Sequence, residues 1–193
     1  MIIHNFDPIF IDLGFLQISW YSVSYILGII LGWSYGINII KKMSKNYNYS
    51  LIKPEHFDDL IIYLIFGIIL GGRLGYVIFY NIEYYSQNFL EIFKLWNGGM
   101  SFHGGLVGVI VSTFAYAKIN KTNFFNLSDT ISCVAPIGIF LGRVSNFING
   151  ELYGKASSLP WSVVFPDGGN ISRHPSQIYE AILEGVILFI LIN

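Results

Sequence analysis

The chain has 193 residues, of which 53% are hydrophobic, 17% aromatic and only 12% charged, about half the charge of a soluble domain. So little charged surface cannot cover a water-exposed exterior, which makes a bilayer the natural solvent. A formal net charge of −1 excludes the basic face that nucleic acid requires, and a lone cysteine, Cys133, excludes an internal disulfide.

The first 17 residues hold no Lys or Arg and carry Asp7 and Asp12, unlike the basic start of a cleaved signal peptide, so the first span is expected to be retained. Apolar runs follow at 18–40, 60–80, 102–117, 127–148 and 179–192. A membrane-crossing helix needs about 20 such residues. The third run is short and glycine-rich, and the fifth stops with the chain. None alternates as a barrel strand would, so helices are the expected form. The predicted fold is therefore an all-α polytopic membrane protein, with about four complete transmembrane helices and a fifth cut off by the chain end. No Pro-rich, Ser-rich or low-complexity linker divides it, which predicts a single transmembrane domain over 1–193.

Basic residues set the orientation. Lys41, Lys42, Lys45 and Lys53 fall in the first connection, and Lys118 and Lys121 in the third. The second holds Lys94 with Glu83 and Glu91, and the fourth holds Lys155 and Arg173 with Glu151 and Asp167. The first and third connections are thus expected in the cytoplasm, with the N-terminus and the second and fourth connections outside.

An ionised side chain at membrane depth costs about 2.5–3.5 kcal/mol on insertion scales. Arg73 and Arg143, two of only three arginines, fall inside or at the rim of predicted spans. Arg143, Asn146 and Gly150 recur at three- and four-residue spacing and are expected on one helix face. Asn149, Glu151, Tyr153 and Gly154 crowd the outward mouth. A helix end with a snorkelling arginine accounts for Arg143 alone, and poorly for the rest of the cluster, which reads as a functional site. Asn97-Gly98-Gly99 is a turn signal that delivers His103 to the start of the third span. A helix N-terminus suits anions and favours a neutral imidazole able to accept a proton. A capping or packing histidine beside a small-residue helix interface explains His103 equally well. Around Gly71-Gly72-Arg73-Leu74-Gly75-Tyr76, Arg73 either holds a lipid phosphate or serves structure by pairing with Asp58, Asp59 or a helix C-terminus; structure is the simpler reading. Tyr21 and Tyr25 read as interfacial aromatics. Glu180 and Glu184 share a face at i, i+4 and are expected to point inward or at a partner. His4, His56, His103 and His174 lack metal-ligand spacing, and no nucleotide fingerprint or nucleophile elbow is present, so no metal or cofactor is expected.

Taken together, the run at 142–154, the WNGGMSFHGGLVG stretch at 96–108, GGRLGY at 71–76 and RHPSQIYE at 173–180 resemble the signature of the prolipoprotein diacylglyceryl transferases, in order and over essentially the whole chain. The resemblance implies transfer of a diacylglyceryl group from phosphatidylglycerol to the thiol of a lipobox cysteine in a preprolipoprotein. It implies action at the outer leaflet of the bacterial inner, cytoplasmic membrane, with lipid and signal peptide as partners. The chemistry needs a base for a thiol of pKa about 8.5 and a cation for a phosphate leaving group. His103, Arg143 and Glu151 are accordingly the expected catalytic residues. Arg143, Asn146, Gly154, Tyr25 and Arg73 are the expected substrate-binding residues, with Tyr25 and Gly154 resting on the resemblance alone.

The chain departs from that family's pattern at two points. Ser145 stands where Gly or Ala is usual, and the small hydroxymethyl is expected to be tolerated. Family members also continue through further spans, so the chain is expected to be a C-terminally truncated form. Two other readings remain: an inactive truncated remnant of the enzyme, and a transporter guiding an anion past the intramembrane arginine.

Overall fold

The computed structural model describes residues 2–15, 17–47 and 52–193. Short strands β1 (Ile2–Ile3), β2 (Ile9–Asp12) and β3 (Gln17–Ser19) lead into α1 (Trp20–Tyr47). Next come α2 (Pro54–Tyr80), the short α3 (Ile82–Gln87), α4 (Phe102–Ile119) and α5 (Phe124–Ile148). A loop carrying β4 (Val163–Val164) and β5 (Ser172–Arg173) leads to α6 (Ser176–Glu180), a π-helical stretch (Ala181–Ile187) and α7 (Leu188–Ile192). α1, α2, α4 and α5 are each long and apolar enough to cross a membrane. The chain is an all-α polytopic membrane protein.

The spans begin or end outside the apolar runs, because polar residues extend the helices into water. α1 reaches Tyr47 rather than residue 40 and carries exposed Lys41, Lys42 and Lys45 on its last turns. At 1.5 Å per residue its 28 residues span about 42 Å, more than the roughly 30 Å of hydrocarbon. α2 starts at Pro54, whose fixed φ suits the first helical position. α5 starts at Phe124, because the Asn123 Oδ1 accepts from the Phe125 and Asn126 N–H groups at 2.9 and 3.2 Å.

The chain forms two compact units, Met1–Gly36 with Ile131–Asn193, and Ile37–Thr130. In the first, β1 runs parallel to β4, which pairs antiparallel with β5, while β2 and β3 form an antiparallel pair. These strands escaped the hydropathy reading because two to four residues leave no periodicity to detect. The buried His4 ties β1 to the end of α5, its Nε2 lying 2.7 Å from the Phe147 carbonyl within a cage of Phe6, Phe147 and Phe165. α1 and α5 approach closely where a Cβ on Gly28 would lie 3.4 Å from the Gly138 Cα.

In the second unit, α2 and α4 cross along facing glycines. A Cβ on Gly67 would sit 2.5 Å from the Gly108 carbonyl oxygen, and one on Gly75 would sit 2.7 Å from the Gly104 Cα. A Cβ on Gly108 would collide with the Gly67 carbonyl. Lipid tails are as apolar as leucine, so such backbone-to-backbone packing is what holds membrane helices together. Beside the crossing runs a groove of about 1020 Å³, lined by residues such as Phe66, Leu70, Leu74 and Val107 and flanked by His103. Gly108→Leu is expected to cost at least about 3 kcal/mol by forcing these backbones apart. Thermal unfolding in detergent checks this, and an unchanged midpoint would contradict the crossing.

Candidate functional site

α5 ends in a Schellman motif that sets the site. The Gly150 N–H donates to Phe147 O at 3.0 Å and the Glu151 N–H to Asn146 O at 3.1 Å, with Gly150 at φ +70°. Gly150 therefore lies beyond the helix, and does not share the face of Arg143 and Asn146 as their spacing suggested. A left-handed turn replaces the fourth step of the repeat. Its effect is to fold Glu151 back over Asn146. Leu152 follows at φ +56°, a conformation that a bulky side chain adopts only when its surroundings impose it. The imposing contacts come from α6. The Ser176 hydroxyl donates to Leu152 O at 2.8 Å, and Gln177 Nε2 donates to Glu151 O at 2.5 Å.

Asn146 and Glu151 meet at the start of α1. The Tyr21 hydroxyl donates to Glu151 Oε1 at 2.5 Å, and Asn146 Nδ2 donates to both the Tyr21 hydroxyl and Glu151 Oε1, the latter at 3.2 Å. Both bonds to the carboxylate end on Oε1, and among the described residues none reaches Oε2. Tyr25, the expected site tyrosine, is 64% exposed and stacks on Tyr21 with ring centroids 6.2 Å apart. Tyr21 is the tyrosine that enters the network. Hydropathy could not separate two tyrosines one turn apart, because only the partner across the helix interface distinguishes them.

Arg143 does not snorkel alone. Its Nη1 lies 2.9 Å from Glu180 Oε2, and its Nη2 lies 3.5 Å from Glu184 Oε2. The inward role expected of the two glutamates is thus to pair with this arginine. Gly185 makes that possible: a Cβ there would sit 2.7 Å from the Phe140 Cβ, so only glycine lets the π-helical stretch lie against α5. Ser145 is fully buried, 2.5 Å from the Ser24 hydroxyl, and donates to the Trp20 carbonyl at 3.3 Å. The departure at this position is accommodated because the hydroxyl has partners on α1.

Gly154 is packed against the chain at the foot of α6. Its N–H donates to His174 O at 2.9 Å, and a Cβ would lie 3.0 Å from the His174 Cβ. Arg173 donates from Nε to Gly168 O at 3.2 Å, with its guanidinium 5.0 Å from the Tyr153 ring centroid. Gln177, which the spacing of motifs did not single out, is 1% exposed, and its Oε1 has no hydrogen-bond partner among the described residues.

Arg73 belongs to the other unit and does different work. It is 3% exposed. Nε donates to Ile92 O at 2.8 Å, Nη2 to Glu91 O and Lys94 O at 2.6 and 3.1 Å, and Nη1 to Gly98 O and to Gly99 O, the last at 3.2 Å. Arginine has five N–H donors, and all five end on backbone carbonyls, so none is left for a lipid phosphate. The arginine is the internal partner of a loop whose carbonyls would otherwise go unpaired. Glu91 and Lys94 in that loop form an ion pair at 2.5 Å, and the carboxylate holds the Lys94 ammonium above its ordinary pKa. The loop delivers Ser101, whose N–H donates to Gly72 O at 2.9 Å and whose hydroxyl caps α4 by accepting from Gly104 N–H at 3.2 Å. His103 follows in the first turn, exposed, with an edge contact to Phe102 and no hydrogen bond among the described residues.

The sequence model for prolipoprotein diacylglyceryl transferase matches residues 8–193. The chain belongs to that family. It is 49% identical over 189 residues to the phosphatidylglycerol–prolipoprotein diacylglyceryl transferase of Rickettsia typhi, a match covering 98% of this chain and 71% of the relative. Transferases of the same name from Nitratidesulfovibrio vulgaris (strain Miyazaki F) and Methylocella silvestris are 46% and 47% identical. Those matches cover 95% and 96% of this chain, and 67% and 68% of the relatives.

Arg73→Lys removes the planar fork. It is expected to destabilise the protein by about 3 kcal/mol or more, since hydrogen bonds to a charged group are worth about 1.5–3 kcal/mol each. Limited proteolysis should then cut within 88–99 first. Retained stability with lost phosphatidylglycerol binding would instead return Arg73 to the lipid.

Proposed function

We propose that the chain transfers the diacylglyceryl group from phosphatidylglycerol to the lipobox cysteine thiol of preprolipoproteins; its relatives are named for diacylglyceryl transfer between phosphatidylglycerol and prolipoprotein. The reading rests above all on the polar cluster at the end of α5, where Arg143, Asn146 and Glu151 converge. A phosphate leaving group needs a fixed cation and fixed donors, and a planar guanidinium matches its oxygens. In this reading Arg143 engages the phosphodiester, while Asn146 and Oε2 of Glu151 orient the glycerol hydroxyls.

The thiol proton goes to His103, the thiolate sulfur attacks the glyceryl carbon attached to the phosphate, and the C–O bond breaks as the C–S bond forms. Glycerol phosphate leaves with the bonding pair. His103 suits the role because it stands exposed in the first turn of α4, with an imidazole nitrogen able to take a proton. Tyr25 and Gly154 remain proposed substrate contacts, Tyr25 through its exposed ring. The reaction is assigned to a single transmembrane domain over 1–193. Membership of the family supports a bacterial inner-membrane location, and the distribution of Lys between connections supports an orientation with the cluster toward the outer leaflet.

Purified protein given phosphatidylglycerol and a lipobox peptide should add one diacylglyceryl mass to the peptide thiol, read by mass spectrometry. Arg143→Ala is expected to lower the rate at least about a hundredfold, and His103→Gln by about the same factor across pH. No mass shift with wild-type protein would overturn the transferase reading. Near-normal rates in either variant would overturn the role given to that residue.

A further inference from the structure

Arg143 is paired with two carboxylates, and this sits uneasily with a site that takes an anion. One positive charge lies against Glu180 and Glu184, with Glu151 one turn beyond the helix end. The immediate field is therefore negative, and a phosphodiester approaching it meets repulsion unless a carboxylate gives way. The two pairs are unequal. Glu180 is the closer at 2.9 Å, whereas Glu184 sits at 3.5 Å, the limit of a hydrogen bond, with a side chain 49% exposed.

Neither pair is held by chance. The π-helical stretch Ala181–Ile187 carries Glu184 and begins at the residue after Glu180. Such stretches are rare and concentrate at functional sites. Gly185 locks that backbone against Phe140, three residues before Arg143. The backbone is closely packed there, while the Glu184 side chain is half exposed. Glu180 also closes the 173–180 motif, whose function was otherwise unassigned.

We propose that Glu180 and Glu184 are positioning residues for the transfer, acting through Arg143. Glu180 holds the guanidinium plane. Glu184 lies where a phosphodiester oxygen would meet Arg143 and is displaced by the anionic lipid. This rests on the transferase reading above, and the substrate class it concerns is the anionic phosphodiester of that lipid. Glu184 then excludes weak anions and sets the KM, while Glu180 sets the rate.

The test is the KM–kcat split for phosphatidylglycerol in mixed micelles, with product read by mass spectrometry and folding checked by thermal unfolding. Glu184→Gln should lower the KM by about two- to fivefold, the range expected when one exposed competing charge pair is removed. Glu184→Ala should do the same should the glutamine variant accumulate poorly. Glu180→Gln should lower kcat about tenfold or more with little change in KM, and Glu180→Asp should recover part of it. Wild-type KM in both Glu184 variants, or equal loss of kcat and KM in all four, overturns the inference while wild-type turnover keeps the transferase reading. No product from wild-type protein overturns both.

Discussion

A charge that this chain carries to membrane depth needs partners within the protein, and that constraint shapes the fold around its two span arginines. Water is absent there, and an unpaired group costs several kcal/mol. The two span arginines meet the demand in opposite ways. Arg73 spends all five donors on the carbonyls of the 91–99 loop and disappears from the surface. Arg143 is met by two side-chain carboxylates and keeps its side chain 31% exposed. The first is a structural pin. The second stays open to solvent between two carboxylates.

The same constraint explains the glycines. With no hydrophobic force to press helices together in lipid, α2 and α4 rely on backbone contact at Gly67, Gly71, Gly75, Gly104 and Gly108. Gly185 does the equivalent in the other unit, and Gly150 terminates α5 so that Glu151 returns to Asn146. The site is thus made by where helices stop and how closely they pass.

The spans were legible in the sequence because hydropathy over about 20 residues is a strong signal. The cluster around Arg143 was legible because charge in such a segment is costly. What escaped the reading depends on partners distant in sequence. Tyr21 and Tyr25 are alike until Glu151 selects Tyr21 from 130 positions away. Arg73 and Arg143 sit in similar Leu-Gly-Arg contexts, yet one meets carbonyls and the other carboxylates. Gly150 satisfied the helical spacing, but its positive φ took it off the face. Gln177 is polar in an unremarkable run, and only its burial against the Glu151 carbonyl marks it. The two-residue strands fall below any periodic pattern.

The central claim is that the lipid headgroup lies in the cluster at the end of α5. Photo-crosslinking with a phosphatidylglycerol bearing a diazirine on its headgroup, followed by peptide mapping, tests it most directly. Adducts within 143–151 and 176–184 that excess unlabelled phosphatidylglycerol suppresses are the predicted result. Suppressible adducts confined to 73–99 would contradict it.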